Sequence, residues 1–112
     1  MSRAGRGVSE LLGLPVRMHG IPLGRPVEAL LDRNSDRLLG FEVVCGDGAH
    51  RFLPYAVVRI GAGEITIDSA LTLIDEGDLD FYRRHCRRLA DAGFAEPWVD
   101  EDGTVREALS AA

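Results

Sequence analysis

Hydrophobic and polar residues alternate along much of the first seventy positions, and this pattern predicts short strands separated by turns. The alternation is clearest after Arg37, where Glu42 is expected to point to solvent from a half-buried strand. The inward positions of that strand are Leu39, Phe41, Val43 and Cys45. The segment Ile65-Thr66-Ile67 repeats the same period of two.

Three clusters of turn-forming residues divide the predicted strands. They are Asn34-Ser35-Asp36, Gly46-Asp47-Gly48 and Gly61-Ala62-Gly63. Short strands separated by such reversals are typical of a closed or nearly closed sheet. Proline cannot donate to a strand ladder, so Pro22, Pro26 and Pro54 are expected at an edge, a bulge or a strand start.

From Gly77 the hydrophobic period changes to that of a helix. The apolar positions at three- and four-residue spacings are Leu79, Tyr82, Cys86, Leu89 and Ala90. We predict an amphipathic helix of about fourteen residues that docks on the barrel, with Asp78 as N-cap and Gly93 just beyond its end. After Pro97 two structures fit the sequence: a hairpin around Glu101-Asp102-Gly103, or a final helical turn from Val105 to Leu109.

These elements predict a mainly β fold of the α+β class. We expect a mobile N-terminal tail over residues 1–10 and a small β-barrel over 11–75. Residues 76–112 are expected to form one C-terminal amphipathic helix and a short acidic tail, packed on the barrel. A chain of 112 residues is long enough to bury a core without disulfides, and Cys45 and Cys86 lack the spacing of a disulfide framework.

Charge is unevenly distributed along the chain. The net charge is −5, and all 13 basic residues are arginine. Residues 83–92 carry four arginines, whereas acids dominate 71–82 and 93–112. The overall balance argues against a general nucleic-acid surface. No apolar run approaches the roughly 20 residues of a membrane span, so we expect a cytoplasmic protein.

Motifs that would carry chemistry are not recognisable in the sequence. His19, His50 and His85 have no second ligand at metal-binding spacing, and His85-Cys86 are adjacent residues that a helix would point apart. The serines lack the context of a nucleophile elbow. We therefore expect no metal, no cofactor and no catalytic residue, and a protein that is not an enzyme.

The candidate partner-binding residues lie on the predicted helix. They are Phe81, Arg83, Arg84, Arg87 and Arg88. The arginines could bind RNA or an acidic partner, or could pair with Asp80 and Asp91 on a solvated face. Phe81 falls off the apolar stripe beside Arg84 and Arg88. An exposed aromatic residue next to arginine is typical of protein-interface hot spots.

Two stretches of sequence carry a family resemblance. One runs from Gly20 to Val27 and on into Leu30-Leu31-Asp32, and the other is Leu53-Pro54-x-x-Val57. Their order resembles the PRC-barrel family, named for the photosynthetic reaction centre H subunit. The resemblance implies a small barrel with a non-catalytic surface that docks on a larger assembly, as in the H subunit and in a ribosome maturation factor.

The leading hypothesis from these observations is a non-enzymatic interaction module that binds an unidentified protein or itself. A homodimer is expected because a small barrel with a docked helix leaves strand edges and the Phe81 region available. The alternative is a ribosome- or RNA-associated maturation factor whose arginine-bearing helix faces phosphates. It predicts binding that weakens steeply with salt.

Overall fold

Residues 6–100 and 102–107 are described by the structure, a computed structural model. They form short strands and two α-helices. The strands are β1 (Arg6–Gly7), β2 (Val16–Met18), β3 (Ile21–Asp32), β4 (Leu38–Cys45), β5 (His50–Pro54), β6 (Arg59–Ile60), β7 (Ile65–Thr66), β8 (Cys86–Arg88), β9 (Pro97–Val99) and β10 (Val105–Glu107), and the helices are α1 (Val8–Leu12) and α2 (Glu76–His85). The predicted mainly β fold is confirmed.

Most strands belong to one sheet with the order β5-β4-β3-β2-β7-β6, in which β8 also pairs with β3. The β2–β7 pair is parallel, and the other pairs of this sheet are antiparallel. A smaller sheet has the order β1-β9-β10. Within the described residues no ladder joins the terminal strands β5 and β6, so closure of the predicted barrel is not seen.

The three chain reversals predicted from clusters of turn-forming residues are present between strands of the structure. Between β3 and β4 the Asp32 carboxylate accepts hydrogen bonds from the Asn34 backbone and the Ser35 hydroxyl, at 3.3 and 2.9 Å. Between β4 and β5, Gly48 adopts φ +84°, which favours glycine. Pro26 lies beside a register shift in β3, and Pro54 lies on β5, the strand at one end of the sheet order, as expected of residues that cannot donate to a ladder.

The structure of residues 6–10 corrects the prediction that this segment belongs to a mobile N-terminal tail. Arg6–Gly7 pair with β9, and the Val8 side chain in α1 is 1% exposed in the main core. Burial of the Val8 side chain anchors the segment to the core. The composition of the segment does not indicate this burial. Residues 1–5 of the predicted tail lie outside the described part of the chain.

The second half of the predicted C-terminal helix is wrong. α2 begins after the N-cap Asp75 rather than Asp78 and ends at His85. Cys86–Arg88 instead form β8 and pair with the end of β3, beyond the part of that strand that β2 covers. Pairing satisfies backbone groups at this edge, and this tertiary contact overrides the helical period.

The segment after β8 is a hairpin rather than a tail. β9 and β10 pair antiparallel, with Val105 opposite Val99 and Glu107 opposite Pro97. The hairpin alternative is therefore confirmed by the pairing of Pro97–Val99 with Val105–Glu107, and the helical turn beginning at Val105 is wrong. Glu101 and residues 108–112 lie outside the described chain.

Both faces of the β3–β4–β5 region are covered. The inner face contributes Phe41, Val43 and Leu53 to the main core, each 0% exposed. On the outer face Leu30 and Phe52 form a second cluster with Leu79, which projects from α2. Glu42 shares this outer face and is only 7% exposed, so the prediction that it points to solvent is wrong. Leu39, predicted to point inward, is 37% exposed.

Candidate interaction surface

Helix α2 is held on the sheet by an aromatic stack. The rings of Phe52 on β5 and Tyr82 on α2 lie parallel, with centroids 4.0 Å apart and an interplanar angle of 8°. Gly40 on β4 makes room for the Phe52 ring, because a Cβ at this position would lie 2.6 Å from its Cζ. The same Cβ would lie 2.3 Å from the Leu53 carbonyl oxygen. The sequence thus needs glycine at this strand position for α2 to be seated.

Beside this stack, an ion pair between the buried Glu42 carboxylate and the partly exposed Arg83 guanidinium also joins α2 to the sheet. The Arg83 guanidinium donates from Nε to Glu42 Oε1 at 3.2 Å and from Nη2 to Oε2 at 2.7 Å. His50 Nδ1 lies 2.5 Å from Oε2 of the same carboxylate. The two nitrogen contacts of one guanidinium with one carboxylate fix the orientation of Arg83 as well as its position.

Hydrogen bonding dominates the electrostatics of this pair. The bonds from Arg83 hold the pKa of Glu42 below its ordinary value, although burial acts in the opposite direction. The pKa of Arg83 is raised for the reciprocal reason, chiefly by its hydrogen bonds to Glu42. Both groups are therefore charged near neutral pH, and the ion pair persists under these conditions.

The opposite side of α2 faces away from the sheet. Phe81 is 53% exposed, as the sequence predicted, and its ring lies against two aromatic neighbours on the same helix. The Phe81 ring centroid lies 4.3 Å from that of His85 and 5.4 Å from that of Tyr82. We call the exposed residues Gly77, Asp78, Asp80, Phe81, Arg84 and His85 the outer face of α2. Its central aromatic side chain is oriented by its neighbours, yet half of its surface stays open.

The four arginines predicted at the partner site separate into two pairs. Arg83 binds Glu42 and also Asp80, the latter at 3.1 Å as predicted. Arg87 binds Asp36 at 2.9 Å and donates to the backbone oxygens of Asp32 and Ser35. The predicted pairing of Arg87 or Arg88 with Asp91 does not occur among the described residues. Arg83 and Arg87 are thus held by internal carboxylates.

Arg84 and Arg88 are the exposed members of the cluster. Neither guanidinium has an ion-pair partner in the described ranges 6–100 and 102–107. The Arg84 backbone oxygen accepts a 2.6 Å hydrogen bond from Arg33, which brings another cationic side chain to this end of α2. A shallow pocket of about 400 Å³ beside β8 is lined by Arg83, Cys86, Arg87, Arg88, Asp91 and Ala92. The structure thus keeps Phe81 and Arg84 together on the outer face and places Arg88 on the adjoining strand.

A second pocket lies at the other end of α2. It has a volume of about 700 Å³, and Leu71, Ile74, Asp75 and Asp78 are among its lining residues. Leu71 is 93% exposed although its 3₁₀ turn is fixed by the Ser69 hydroxyl, which accepts from the Leu71 backbone at 3.1 Å. An apolar side chain held in this open position extends the outer face of α2 beyond its N-terminus.

Sequence reasoning missed Glu42 and His50, which anchor the helix carrying the outer face. A glutamate in an alternating strand normally points to solvent, and the only local signal for its burial is the neighbouring Gly40, which lets the Phe52 ring lie close to the strand. Across residues 6–100 and 102–107, no group of three or more His, Cys, Asp or Glu side chains is arranged to hold a metal. None of the helices in those ranges is both long and apolar enough to cross a membrane.

Comparison with known proteins adds no family to these observations. A scan against protein-family models finds no match, and a search of curated proteins finds no similar protein. The assignment of function therefore depends on the outer face of α2 and on the way in which the sheet supports it.

Proposed function

We propose that this protein is a non-enzymatic, PRC-barrel-like interaction module that binds another protein through the outer face of α2. The observation that carries the proposal is the half-exposed Phe81 ring beside Arg84, on a helix joined to the sheet by the partly buried Glu42–Arg83 pair. Aromatic and arginine side chains dominate protein-interface hot spots. A helix already fixed in place loses little conformational entropy when a partner binds, which favours affinity.

The ribosome- or RNA-associated alternative has less support. Phosphate binding needs several free cationic groups, and two of the four arginines, Arg83 and Arg87, are committed to Glu42 and Asp36. The overall charge of −5 also opposes association with a polyanion. Exposed Arg84 and Arg88 are the residues from which an RNA contact would have to start, so the experiment includes a test for RNA.

The test is an affinity pull-down of the tagged protein from its own cells, with and without nuclease, followed by mass spectrometry. We expect specific protein partners that survive nuclease and are depleted about tenfold or more when the bait carries Phe81→Ala. Val57→Ala is the matched control, because Val57 is 41% exposed at the turn between β5 and β6. It should leave the captured proteins unchanged.

Two results would contradict the proposal. If ribosomal proteins and RNA dominate the capture and disappear on nuclease treatment, the RNA-associated alternative is favoured. If partners survive nuclease but are captured equally by wild type and Phe81→Ala, the outer face of α2 is not the docking surface. Thermal unfolding of both variants confirms that capture is compared between folded proteins.

A further inference from the structure

The outer face of α2 carries opposite charges at its two ends. Asp78 and Asp80 lie in the first half of the helix, Arg84 and His85 lie in the second half, and Phe81 lies between them. All five residues are exposed. The helix therefore presents an acidic end and a basic end on either side of a central aromatic ring.

Helical geometry makes this arrangement complementary to itself. At about 100° per residue, Asp80 and Arg84 lie on one flank of Phe81, and Asp78 and His85 lie on the other. When two such helices pair antiparallel with their Phe81 rings at the centre, each flank meets the same flank of its partner in reverse order. Arg84 then lies near the partner's Asp80, and His85 lies near the partner's Asp78. A parallel pairing would instead bring like charges together.

Gly77 removes the main steric obstacle to this pairing. It lies one turn before Phe81 on the outer face, and a Cβ built at this position would meet nothing within 4 Å. A helix surface without a side chain at that point lets the partner's second half approach closely. Glycine is a poor helix former, and among the described residues no close contact at Gly77 requires the absence of a side chain in this first turn of α2.

We propose that the protein forms a two-fold homodimer through antiparallel pairing of the outer faces of α2. This inference depends on the proposed function, because it takes the same face as the docking surface and names a second copy of the chain as its occupant. The contact is isologous, since each residue pair occurs twice across the symmetry axis. It therefore closes at two copies and does not propagate into a filament.

The size of the surface sets the expected affinity. A ten-residue helix is about 15 Å long and is too short to bury the roughly 800 Å² per partner of a standard interface by itself. Leu71, 93% exposed in the pocket that Asp78 also lines, enlarges the apolar area at the acidic end. We expect a weak dimer with a dissociation constant of about 1 μM to 1 mM, which requires measurement at high protein concentration.

Sedimentation equilibrium over a wide range of protein concentrations, with native mass spectrometry, tests the pairing by charge reversal. Arg84→Glu alone and Asp80→Lys alone should each weaken the dimer about tenfold or more, because each creates two like-charge contacts. An equimolar mixture of the two variants should form a heterodimer of near wild-type affinity, since one Glu–Lys pair replaces a native pair. Arg59→Glu is the control, because Arg59 is exposed on β6 and pairs with Asp68.

The mixture guards against misfolding, since a variant that cannot fold cannot regain affinity from its partner. A monomer at all concentrations, a dimer that neither reversal weakens, or a mixture no tighter than the single variants would overturn the inference. A monomer that still captures a protein in a Phe81-dependent way would overturn only the self-pairing and leave the proposed function standing. A monomer whose captures do not depend on Phe81 would contradict both.

Discussion

The two faces of the sheet around β4 are buried in different ways. The inner face presents Phe41 and Val43 to a core of apolar side chains, and both are 0% exposed. The outer face mixes the apolar residues Leu30 and Phe52 with the charged Glu42. Burial on the inner face requires only hydrophobic side chains of suitable volume, whereas burial on the outer face also requires a partner of opposite charge.

The difference shows how the protein holds an exposed helix. Apolar packing is non-directional and would tolerate some rotation of α2, whereas the two hydrogen bonds between Arg83 and Glu42 are directional and favour the orientation in which they form. That orientation turns Phe81 away from the sheet. The outer face of the sheet therefore helps to orient the candidate interaction surface, while the inner face contributes the larger cluster of buried apolar side chains.

Truncation on the inner face is expected to have the largest effect. Phe41→Ala removes a fully buried ring and leaves a cavity, so we expect the free energy of unfolding to fall by about 3 to 5 kcal/mol. Chemical denaturation followed by circular dichroism measures the change. Leu39→Ala on the same strand, at a side chain that is 37% exposed, should cost well under half as much. Equal costs would show that the two positions do not differ in burial.

Breaking the ion pair on the outer face should cost less. Glu42→Leu leaves the Arg83 guanidinium without its main partner, and we expect a loss of about 1 to 3 kcal/mol because Arg83 is partly reached by solvent. Arg83→Leu should cost a similar amount, since it leaves a buried carboxylate. The double variant should recover part of the loss, because two apolar side chains can replace a buried ion pair at little net cost.

A double-mutant cycle on these variants gives the coupling free energy directly. We expect a coupling of at least about 0.5 kcal/mol, and losses that simply add would contradict the interpretation. Asp80→Asn is the matched control, since Asp80 also pairs with Arg83 but lies at the surface. Surface ion pairs contribute about 0 to 1 kcal/mol, so this change should be nearly neutral.

The difference between the two faces also explains which parts of the fold follow from sequence. The inner positions Phe41 and Val43 and the three reversals are local features, set by alternation and turn residues, and the structure confirms them. The buried state of Glu42 depends on Arg83, 41 residues further along the chain. Alternation on one strand cannot show that a distant helix covers its second face.

The candidate interaction surface could likewise be predicted only where a local pattern in the sequence determines it. The exposure of Phe81 follows from its place off the apolar stripe of a helix, which is a local property. The pairing of Arg87 with Asp36 spans 51 residues and depends on β8 joining the edge of β3. The sequence around Arg87 has an equally good helical period, so only the tertiary pairing decides between helix and strand.

Lowering the pH should reduce the stability contributed by the outer face of the sheet before it affects the contribution of the inner face. This is the smallest effect that we predict. The pKa of Glu42 in the folded protein lies below its ordinary value of 4.5, because Arg83 donates hydrogen bonds to the carboxylate. Between the folded-state pKa of Glu42 and about pH 4.5, the unfolded chain binds more protons than the folded protein does. The free energy of unfolding therefore rises with pH in this range. The contribution of Glu42 is complete above about pH 4.5 and is lost as the pH falls through the folded-state pKa.

Glu42→Gln isolates this contribution. Asp47 and Asp102 also have lowered pKa values, through hydrogen bonds from Arg51 and from the Thr104 backbone respectively, so the wild-type profile alone is not specific. The difference in unfolding free energy between wild type and Glu42→Gln should be present at pH 5 and above and should shrink toward pH 3. It should stay smaller than the loss in Glu42→Leu, because the side-chain amide oxygen of glutamine can still accept a hydrogen bond from Arg83. A difference that does not change with pH would mean that Glu42 is not held ionised by Arg83, and the outer face would then be buried in the same way as the inner one.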